Sequence, residues 1–531
     1  MKHIVISTML MLITLSISAV NYDVVPMPQT IQPKSGVPFV LNHEVCIWAD
    51  KSLEREATFL QTYLAELTGQ QLPVTTQKQR YQRYIELIVS PKVTDKEGYV
   101  LTVTGKTITI QGGSAAGVFY GIQTLRKAVA TQGGTSTVFP PVVIRDVPRF
   151  PYRGMHLDCS RHFFPIDFVK KYIDLLALHN MNTFHWHLSD DQGWRIEISK
   201  WPRLTTVGGW RTGTIIGTNS DLDDHTPYGG FYTQDEARQI VAYAQERHIT
   251  VVPEIDMPGH MLAALAAYPE LGCTGGPYQV GHYWGVYKDV LCVGNPVVYQ
   301  FVEDVLTEIM DIFPSEIIHI GGDETPTEKW ERCARCQALQ LEGSTHQGYF
   351  TRRVFNILNS HHRRALGWDE ILDDCPPDAM IMSWRGAEPG ARAAGLGHDV
   401  VMAPTTHCYF DYQQTSDALF EPSRCGGCIP VDKVYSLEPV ADSISPEARR
   451  HILGVQANLW TEYVTNEEIA EYQVLPRMSA LAEVQWTKPE NKDYEAFLQR
   501  LNRLTVLFDR YHYTYAKHLW PERTLTNRWQ F

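Results

Sequence analysis

Short apolar segments recur along most of the chain, and amphipathic segments separate many of them. Eight of the apolar segments have the length and composition of buried strands, and they cover 152–160, 182–190, 249–257, 317–324, 365–372, 379–384, 399–405 and 452–460. Helical patterns lie between most of these strands. After Pro165, for example, Val169, Ile173 and Leu176 fall on one helical face. Strands and helices that alternate in this way predict a (β/α)8 barrel, also called a TIM barrel.

A doubly wound α/β sheet is the alternative to the barrel. That fold would place a glycine-rich phosphate-binding turn after the first strand, and the segment after residue 160 contains no such turn. We therefore prefer the barrel, which we expect to extend over residues 149–510.

A different pattern precedes the barrel. Residues 22 to about 146 contain short strand patterns and a hairpin-like segment at 99–112, between amphipathic stretches near 53–67 and 114–129. This pattern predicts a smaller α+β domain over residues 20–148, which a proline-rich connector joins to the barrel. After the barrel strands we expect a C-terminal amphipathic helix at 493–512, and then an extension at 511–531.

The first 19 residues have the features of a secretory signal peptide. One lysine precedes an apolar stretch from Ile4 to about Ile17, and small residues follow from Ser16 to Ala19. The apolar stretch is too short for a comfortable membrane span, and no nearby cysteine indicates a lipid anchor. We therefore expect an exported mature protein, periplasmic or secreted, without a membrane span.

The overall charge limits the kinds of partner. The 531 residues are 44% hydrophobic and 20% charged, as is typical of a globular protein, and the formal net charge is −13 without any Lys or Arg run. Nucleic acids and anionic membranes are bound by clustered positive charge, so we expect neither as a partner. A neutral or weakly charged ligand fits this composition better.

Export changes the interpretation of the ten cysteines. Because oxidising compartments favour disulfides, we expect local pairs in loops, namely Cys273–Cys292, Cys333–Cys336 and Cys425–Cys428. The alternative is that the two C-x-x-C segments, 333–336 and 425–428, together form one four-cysteine zinc site. The remaining cysteines are expected to be buried thiols, and they are Cys46, Cys159, Cys375 and Cys408.

Polar residues that can bind or react follow nearly every predicted strand. They lie in 158–161, 185–191, 254–260, 323–324, 368–370, 384–385, 407–411 and 458–462. In a (β/α)8 barrel the C-terminal ends of the strands form one mouth, which is where the chemistry takes place. A single polar residue at a strand end is usually only solvated, but eight such sets on one rim predict an active site.

Aromatic residues in the same segments narrow the class of ligand. Trp368, Trp384, Trp460 and Tyr409 offer flat apolar faces with a few hydrogen-bonding groups, a combination that suits a sugar ring and its acyl substituent. The competing interpretation is that the tryptophans only pack in the core.

Six motifs occur along the chain in a fixed order. They read "RGMHLDCSRHFF", "FHWHLSDDQGWRIE", "PEIDMPGH", "HIGGDE", "GWDE" and "NLWTE". In this order and spacing they resemble the β-N-acetylhexosaminidases of glycoside hydrolase family 20, over residues 22 to about 510. The resemblance implies an exo-acting enzyme that removes terminal β-linked N-acetylglucosamine or N-acetylgalactosamine from oligosaccharides, glycoproteins or chitin fragments.

The resemblance also implies different tasks for the adjacent carboxylates of Asp323 and Glu324. In this family the substrate's own 2-acetamido oxygen attacks the anomeric carbon, which gives an oxazolinium-type intermediate and retention of configuration. Glu324 then corresponds to the residue that protonates the leaving oxygen and later activates water. Asp323 corresponds to the residue that accepts the acetamido N–H and stabilises the developing positive charge. We further expect the neighbouring charge of Asp323, together with partial burial, to raise the pKa of Glu324.

Four further residues match sugar-binding positions of the family. Arg161 matches the arginine that binds the O3 and O4 hydroxyls, and Glu462 matches the acceptor for O4 or O6. Tyr409 matches the tyrosine that donates to the acetamido oxygen, and Asp411 matches the polar sugar-binding residue after it. Both lie near the C-x-x-C segment 425–428, where a disulfide would stiffen the loop.

The remaining matches concern the general acid and the pocket wall. Asp190 and His260 match a pair that orients and electrostatically tunes the acid, although a purely structural hydrogen bond is the commoner role of a histidine in such a turn. The three tryptophans, Trp368, Trp384 and Trp460, match residues that wall the acetamido pocket and support the ring.

Three alternatives stay open at this point. A lacto-N-biosidase of the same family would need a roomier pocket, and a non-catalytic sugar-binding barrel would have no need of the acid Glu324. A metal-dependent hydrolase could use the "HWH" at 185–187, but partner ligands on later strands are not obvious. The family resemblance implies no metal and no cofactor, because acid, base and nucleophile come from protein and substrate. The sequence does not decide the oligomeric state.

Overall fold

The computed structural model describes residues 19–79, 82–130, 137–217, 220, 222–417, 421–422, 426–441 and 444–520. Three predictions therefore fall wholly or partly outside the described residues: the signal peptide, the end of the extension at 511–531, and the pair that involves Cys425. The chain divides into two compact units, one built on Thr30–Asp146 and the other on the chain from Val147 onward.

The first unit is a mixed sheet with two helices, as the α+β prediction required. The helices Glu54–Thr68 and Ala115–Ala130 pack on each other and on the sheet. The predicted hairpin at 99–112 is confirmed as an antiparallel pair, in which Leu101 faces Ile110. In spatial order, the seven strands of the sheet are Thr30–Pro33, Val142–Asp146, Tyr99–Val103, Thr107–Gly112, Arg83–Val89, Val45–Ala49 and Val74–Thr75.

The second unit contains a closed barrel of eight parallel strands, which confirms the (β/α)8 prediction. The first strand pairs with the last, with Tyr152 opposite Gly454, and this pairing closes the barrel. The strands, called strands 1 to 8 below, are Tyr152–Asp158, Thr183–His187, Thr250–Glu254, Ile317–His319, Arg364–Trp368, Met380–Ser383, Val400–Met402 and Ile452–Ala457.

All eight barrel strands end before the last residue that the sequence predicted, and strands 4 and 5 do so by the largest margin. Strand 4 stops at His319 rather than at residue 324, because Gly321 and Gly322 take positive φ angles of 68° and 95° that turn the chain. A Cβ at position 321 would lie only 1.7 Å from Oδ1 of Asp256, so a glycine is required there. Strand 5 stops at Trp368 and continues into the 3-10 helix Asp369–Asp374. In both cases the polar residues lie in the turn after the strand.

Helices surround the barrel. Helix Ile166–Leu178 buries Val169, Ile173 and Leu176, the face that the sequence pattern predicted. The other longer helices are Gln234–Glu246, Pro296–Ile312, His346–Ser360, Ala387–Gly395, Glu467–Val474, Arg477–Trp486 and the predicted C-terminal helix, Tyr494–Arg510. The shorter helices in the loops are Arg203–Thr206, Leu262–Ala267, Glu328–Glu331, Ala334–Gln337, Thr405–Cys408, Val431–Tyr435 and Pro446–Arg449.

Within the described part of the chain, no helix combines the length and the apolar character that crossing a bilayer requires. Inside the barrel, one apolar cluster fills the space below the mouth between strands 1, 5, 6 and 7. Its buried members are Tyr152, Leu366, Trp368, Met380, Met382, Val401 and Ala403, and Trp384 and Trp460 pack against it.

Two of the three local disulfide predictions are wrong in this structure. Cys273 does not pair with Cys292, nor Cys333 with Cys336, since all four are free thiols. Instead the four side chains come together in one group. Of the cysteines expected to be buried thiols, Cys46, Cys159 and Cys408 are buried, whereas Cys375 is partly exposed.

Candidate active site

Two adjacent carboxylates lie at the mouth in different surroundings. The side chain of Asp323 is 14% exposed, whereas that of Glu324 is 43% exposed. The backbone of Glu324 has a φ of 46°, in the left-handed region that few residues other than glycine adopt. Such a conformation persists only where its surroundings enforce it, and it is typical of functional sites. The turn after strand 4 therefore presents one largely buried acid and one accessible acid side by side.

His260 lies next to both acids. Its Nε2 is 3.7 Å from Oδ2 of Asp323 and 3.6 Å from Oε2 of Glu324, while its Nδ1 is 3.1 Å from Oδ1 of Asp190. Burial disfavours a charged imidazole, but the carboxylates of Asp190 and Asp323 outweigh burial and raise the pKa of His260 well above its usual value. His260 is therefore an imidazolium at neutral pH, and it too has a positive φ, of 52°.

This imidazolium reverses the expected pKa pattern of the two acids. The pKa of Glu324 is lowered, chiefly because the neighbouring imidazolium of His260 favours its charged form, so the expectation of a raised value is wrong. The pKa of Asp323 is raised, first by burial and then by the nearby charges of Glu254 and Glu324. Asp256, buried beside Asp323, also has a pKa raised well above its usual value, mainly by burial.

The carboxylate of Asp190 contacts the positively charged side chains of the site. Its Oδ2 is 2.9 Å from Nη2 of Arg161 and 2.9 Å from Nε2 of His187, and its Oδ1 faces His260. Although burial opposes its ionisation, Arg161 and His260 lower the pKa of Asp190 far below its usual value. The carboxylate thus fixes Arg161, His187 and His260 in one buried network.

Arg161 extends that network to the rim of the mouth. Its Nη1 is 3.1 Å from Oδ2 of Asp158 and 4.0 Å from Oε1 of Glu462, and its guanidinium lies 5.0 Å from the ring centre of Trp460. Burial opposes the charge, but Asp190, Glu462 and Asp158 together raise the pKa of Arg161 well above its usual value. The guanidinium therefore stays charged within hydrogen-bonding reach of the mouth.

Several buried oxygens in the site have no hydrogen-bond partner among the described residues. They are Oδ1 of Asp323, Oδ1 of Asp411 and Oε2 of Glu462. Burial is the main cause that raises the pKa of Asp411 and of Glu462. A buried acceptor without a partner is costly in a folded protein, so such atoms indicate where a ligand donates hydrogen bonds.

Aromatic rings form one continuous wall of the site. Trp384 stacks on Tyr409 with ring centres 6.1 Å apart at 24°, Tyr409 lies 6.4 Å from Trp460, and Trp460 lies 5.8 Å from Trp368. Trp384 donates from Nε1 to Oε2 of Glu370 at 2.9 Å. Trp368 is only 1% exposed and belongs to the apolar core. The core interpretation therefore also holds for Trp368, while Trp384 and Trp460 are partly exposed.

A buried polar network below the wall was not foreseen from the sequence. Glu254 at the end of strand 3 accepts from His187 at 2.5 Å and from Nε1 of Trp368 at 2.9 Å. Nδ1 of His319, which accepts from the backbone N–H of Gly321, lies 2.9 Å from the same carboxylate. Nε2 of His185 is 3.0 Å from the same carboxylate. The register of the strands could have indicated this network, because His187, Glu254 and His319 are direct neighbours across strands 2, 3 and 4.

This network bears on the metal-hydrolase alternative. Within this buried network, two sets of side chains have ligand spacing, His185 with Glu254 and His319, and His156 with His187 and Glu254. All of these side chains are fully buried beneath the aromatic wall, and donors already occupy both oxygens of Glu254. A substrate at the mouth has no direct path to these atoms, so the geometry does not favour them as a reaction centre.

The fold and the site together define a barrel hydrolase of the kind that acts on glycosides, with paired acids and an aromatic-walled pocket at the mouth. Residues 150–489 match the family model "Glycosyl hydrolase family 20, catalytic domain", and residues 21–147 match "Glycosyl hydrolase family 20, domain 2". The chain belongs to glycosyl hydrolase family 20.

Curated relatives carry related names. The chain is 42% identical to the beta-hexosaminidase of Porphyromonas gingivalis over an alignment of 427 residues. This alignment covers 78% of this chain and 54% of that protein. The chain is 39% identical over 406 residues to the beta-hexosaminidase of Vibrio furnissii, covering 73% and 65%. It is 31% identical over 500 residues to the beta-N-acetylhexosaminidase of Cellulomonas fimi, covering 92% and 94%. The chain thus spans less than two thirds of the first two relatives.

Solved structures match over nearly the whole chain. The exo beta-N-acetylglucosaminidase of Vibrio harveyi, in complex with N-acetylglucosamine, has a TM-score of 0.82 at 32% identity, covering 95% of this chain and 79% of that one. The beta-N-acetylhexosaminidase of Streptomyces coelicolor has a TM-score of 0.80 at 33% identity, covering 96% and 99%. The fold of both described units therefore agrees with that of characterised family members.

Proposed function

We propose that the protein is an exo-acting β-N-acetylhexosaminidase. It hydrolyses terminal, non-reducing β-linked N-acetylglucosamine or N-acetylgalactosamine with retention of configuration, and the nucleophile is the substrate's own acetamido oxygen. The observation that carries this proposal is the buried, unpartnered Oδ1 of Asp323 beside the accessible acid Glu324. A buried acceptor is what an acetamido N–H requires, and an accessible acid is what a leaving oxygen requires.

In the first step the acetamido oxygen attacks the anomeric carbon while the glycosidic bond breaks. Asp323 accepts the acetamido N–H, which aims the carbonyl oxygen and stabilises the positive charge of the oxazolinium ring. Tyr409, which is buried against Trp384, donates its hydroxyl to the acetamido oxygen. Burial, then the charge of Asp411 and, less strongly, the charge of Asp323 raise the pKa of Tyr409, so its hydroxyl stays protonated and can donate.

Glu324 supplies the proton for the leaving oxygen. The pKa of Glu324 is lowered, and the proton resides on His260, whose Nε2 is 3.6 Å from Oε2 of Glu324. A bound sugar excludes water from the mouth, which disfavours the charges on this pair and favours transfer of the proton to Glu324. In the second step Glu324 takes a proton from water, and the water oxygen attacks the anomeric carbon from the face that the leaving oxygen left. The bond between the anomeric carbon and the acetamido oxygen breaks, which restores the acetamido group and retains the configuration.

The rest of the site holds the sugar. Arg161 donates to the O3 and O4 hydroxyls, and Glu462, with its unpartnered Oε2, accepts from O4 or O6. Asp411 offers a further acceptor, and the rings of Trp384 and Trp460 support the sugar face and the acetamido methyl group.

The stereochemistry of the first product tests this function. Purified protein is mixed with an aryl β-N-acetylglucosaminide in deuterated buffer, and proton NMR follows the anomeric signals before mutarotation. The β-anomer of N-acetylglucosamine should appear first, and a Glu324→Gln sample should lack this burst. An initial α-anomer would contradict the mechanism. Release of an intact disaccharide from an aryl lacto-N-bioside, without release of single sugars, would favour the lacto-N-biosidase alternative.

We also propose that the mature protein is exported and begins near residue 20. The support is the basic, apolar and small-residue pattern of residues 1–19. Mass spectrometry of protein isolated from its natural host should give an N-terminus close to residue 20. An intact first residue would contradict export by this signal.

A further inference from the structure

Four cysteines from two separate loops of the barrel unit come together in one group. Cys273 and Cys292 lie in the long loop that follows strand 3, and Cys333 and Cys336 lie in the loop that follows strand 4. Three of the four are buried and Cys273 is partly exposed. The sulfurs all lie within 4.8 Å of one another. The same two loops carry His260 and Glu324.

The sulfur positions approximate a tetrahedron. The Sγ atoms of Cys292 and Cys336 are 3.6 Å apart, those of Cys292 and Cys333 are 3.7 Å apart, and those of Cys273 and Cys336 are 3.8 Å apart. Four thiolates around a zinc ion at about 2.3 Å place neighbouring sulfurs about 3.8 Å from one another. These distances therefore match the edges of a zinc–thiolate tetrahedron.

The sulfurs do not divide into two disulfide pairs. Cys292 is almost equally close to Cys333 and Cys336, and Cys336 is almost equally close to Cys273 and Cys292. Two disulfides would give two short contacts of about 2.05 Å and would leave the other distances longer. A common central ligand explains similar spacing better than pairwise bonds do.

The surroundings of the sulfurs also suit a thiolate centre. The backbone N–H of Gly294 and the guanidinium of Arg335 lie close enough to Cys336 and Cys333, respectively, to act on these side chains electrostatically. A Cβ at position 294 would lie 2.3 Å from the backbone carbonyl atoms of Arg335, so only glycine allows this close approach. Backbone and guanidinium donors of this kind stabilise the negative charge that four thiolates retain around a divalent metal.

We propose that Cys273, Cys292, Cys333 and Cys336 bind one zinc ion in a four-coordinate structural site. This quartet differs from the zinc site that the two C-x-x-C segments suggested, because only the segment 333–336 takes part. All four positions around the ion are filled by protein, so the ion has no open position for substrate and acts as a cross-link.

The cross-link joins the loop that carries His260 to the loop that carries Glu324. The two loops are also in direct contact, since Trp330 donates to the carbonyl of Leu291 at 2.8 Å and Arg335 donates to that of Gly272 at 3.2 Å. His260 and Glu324 share a contact of 3.6 Å that depends on both loops. Zinc therefore stabilises the base of the segments that position the general acid.

Measurement of the bound metal tests this proposal directly. Full-length protein is purified without chelator and without added reductant. Plasma mass spectrometry should find about one zinc per chain, and zinc-edge X-ray absorption should give four sulfur ligands at about 2.3 Å. Cys336→Ser should lose most of the zinc and lower the melting temperature. The matched control Cys375→Ser, outside the quartet, should keep one zinc.

Each other outcome overturns the proposal. Protein without zinc, in which four cysteines react with a thiol reagent only after denaturation and reduction, would show two disulfides instead. Iron as the main metal would exclude zinc, and zinc retained in Cys336→Ser would exclude this quartet. If Cys336→Ser does not fold, the absorption spectrum of the unaltered protein decides alone, because fewer than four sulfur ligands would contradict the site.

Discussion

Nδ1 of His260 lies 3.1 Å from Oδ1 of Asp190, and this contact connects the accessible acid to a buried charge network. On its other side His260 faces Glu324. Asp190 therefore acts on the acid indirectly, because it stabilises the protonated form of the histidine that lies next to Glu324. His260 therefore acts on catalysis through Glu324 and is a positioning residue.

A double-mutant cycle tests this relationship. His260→Asn should lower kcat/KM about 10- to 100-fold in the unaltered background, and by much less when Glu324→Gln is already present, because residues that act as a unit are not additive. The measurement is steady-state hydrolysis of an aryl β-N-acetylglucosaminide by the four proteins. Equal factors in both backgrounds would show that His260 acts independently of Glu324.

The role of Glu324 as an acid predicts a dependence on the leaving group. Glu324→Gln should lower kcat/KM about 10²- to 10⁴-fold for a substrate with a basic leaving group, because such groups need protonation. A dinitrophenyl leaving group needs little protonation. For a substrate with this group, Glu324→Gln should therefore reduce the rate of the first step much less. The same loss for both substrates would contradict the acid role.

Glu370 predicts a pH-dependent effect on stability. Burial, followed by the charge of Asp323, raises the pKa of Glu370 from 4.5 to about 7. Between these values the folded protein holds a proton that the unfolded chain has lost, so this group's contribution to stability falls as the pH rises through the window. Glu370→Gln keeps the acceptor for Trp384 without the charge.

We therefore expect the melting temperature of Glu370→Gln, relative to the unaltered protein, to increase by a few °C from pH 4.5 to pH 7.5. Differential scanning at several pH values measures this difference. The exposed Glu490→Gln serves as the control and should show no such trend. A relative melting temperature that falls as the pH rises would contradict the raised pKa of Glu370.

Glu254 should be essential for stability. It is fully buried and accepts from His187 and from Trp368, and the pKa of His187 is raised well above its usual value. Glu254→Gln removes a buried charge that pairs with this imidazolium, a change that costs about 3–5 kcal/mol. Thermal unfolding should show a large loss, whereas Glu303→Gln on the exposed face of a helix should behave like the unaltered protein.

Much of the fold could be predicted because buried strands and amphipathic helices leave periodic patterns. All eight barrel strands lie where apolar segments predicted them. The ends of strands 4 and 5 could not be predicted as well, because the turns at Gly321 and Asp369 depend on local backbone geometry. The sequence of strand 4 stays apolar into the turn, so the pattern alone extends it too far.

The residues that form the site could be predicted from the sequence, whereas the directions of their pKa shifts could be predicted less well. Asp323 and Glu324 are adjacent in sequence, which suggested that Asp323 raises the pKa of Glu324. The structure adds His260, from another strand, as a stronger and opposite influence. The Glu254 network and the four-cysteine group were hidden for the same reason, since each joins residues that only the barrel brings together.

The most direct test of substrate-assisted catalysis compares Asp323→Asn with the unaltered protein on paired aryl β-N-acetylglucosaminide and aryl β-glucoside substrates. Only the acetamido sugar should be hydrolysed rapidly, and Asp323→Asn should lower its kcat about 10²- to 10³-fold, as expected when a transition-state hydrogen bond is lost. The exposed Asp50→Asn should have normal activity. Equal turnover of both sugars, or full activity of Asp323→Asn, would contradict participation of the acetamido group.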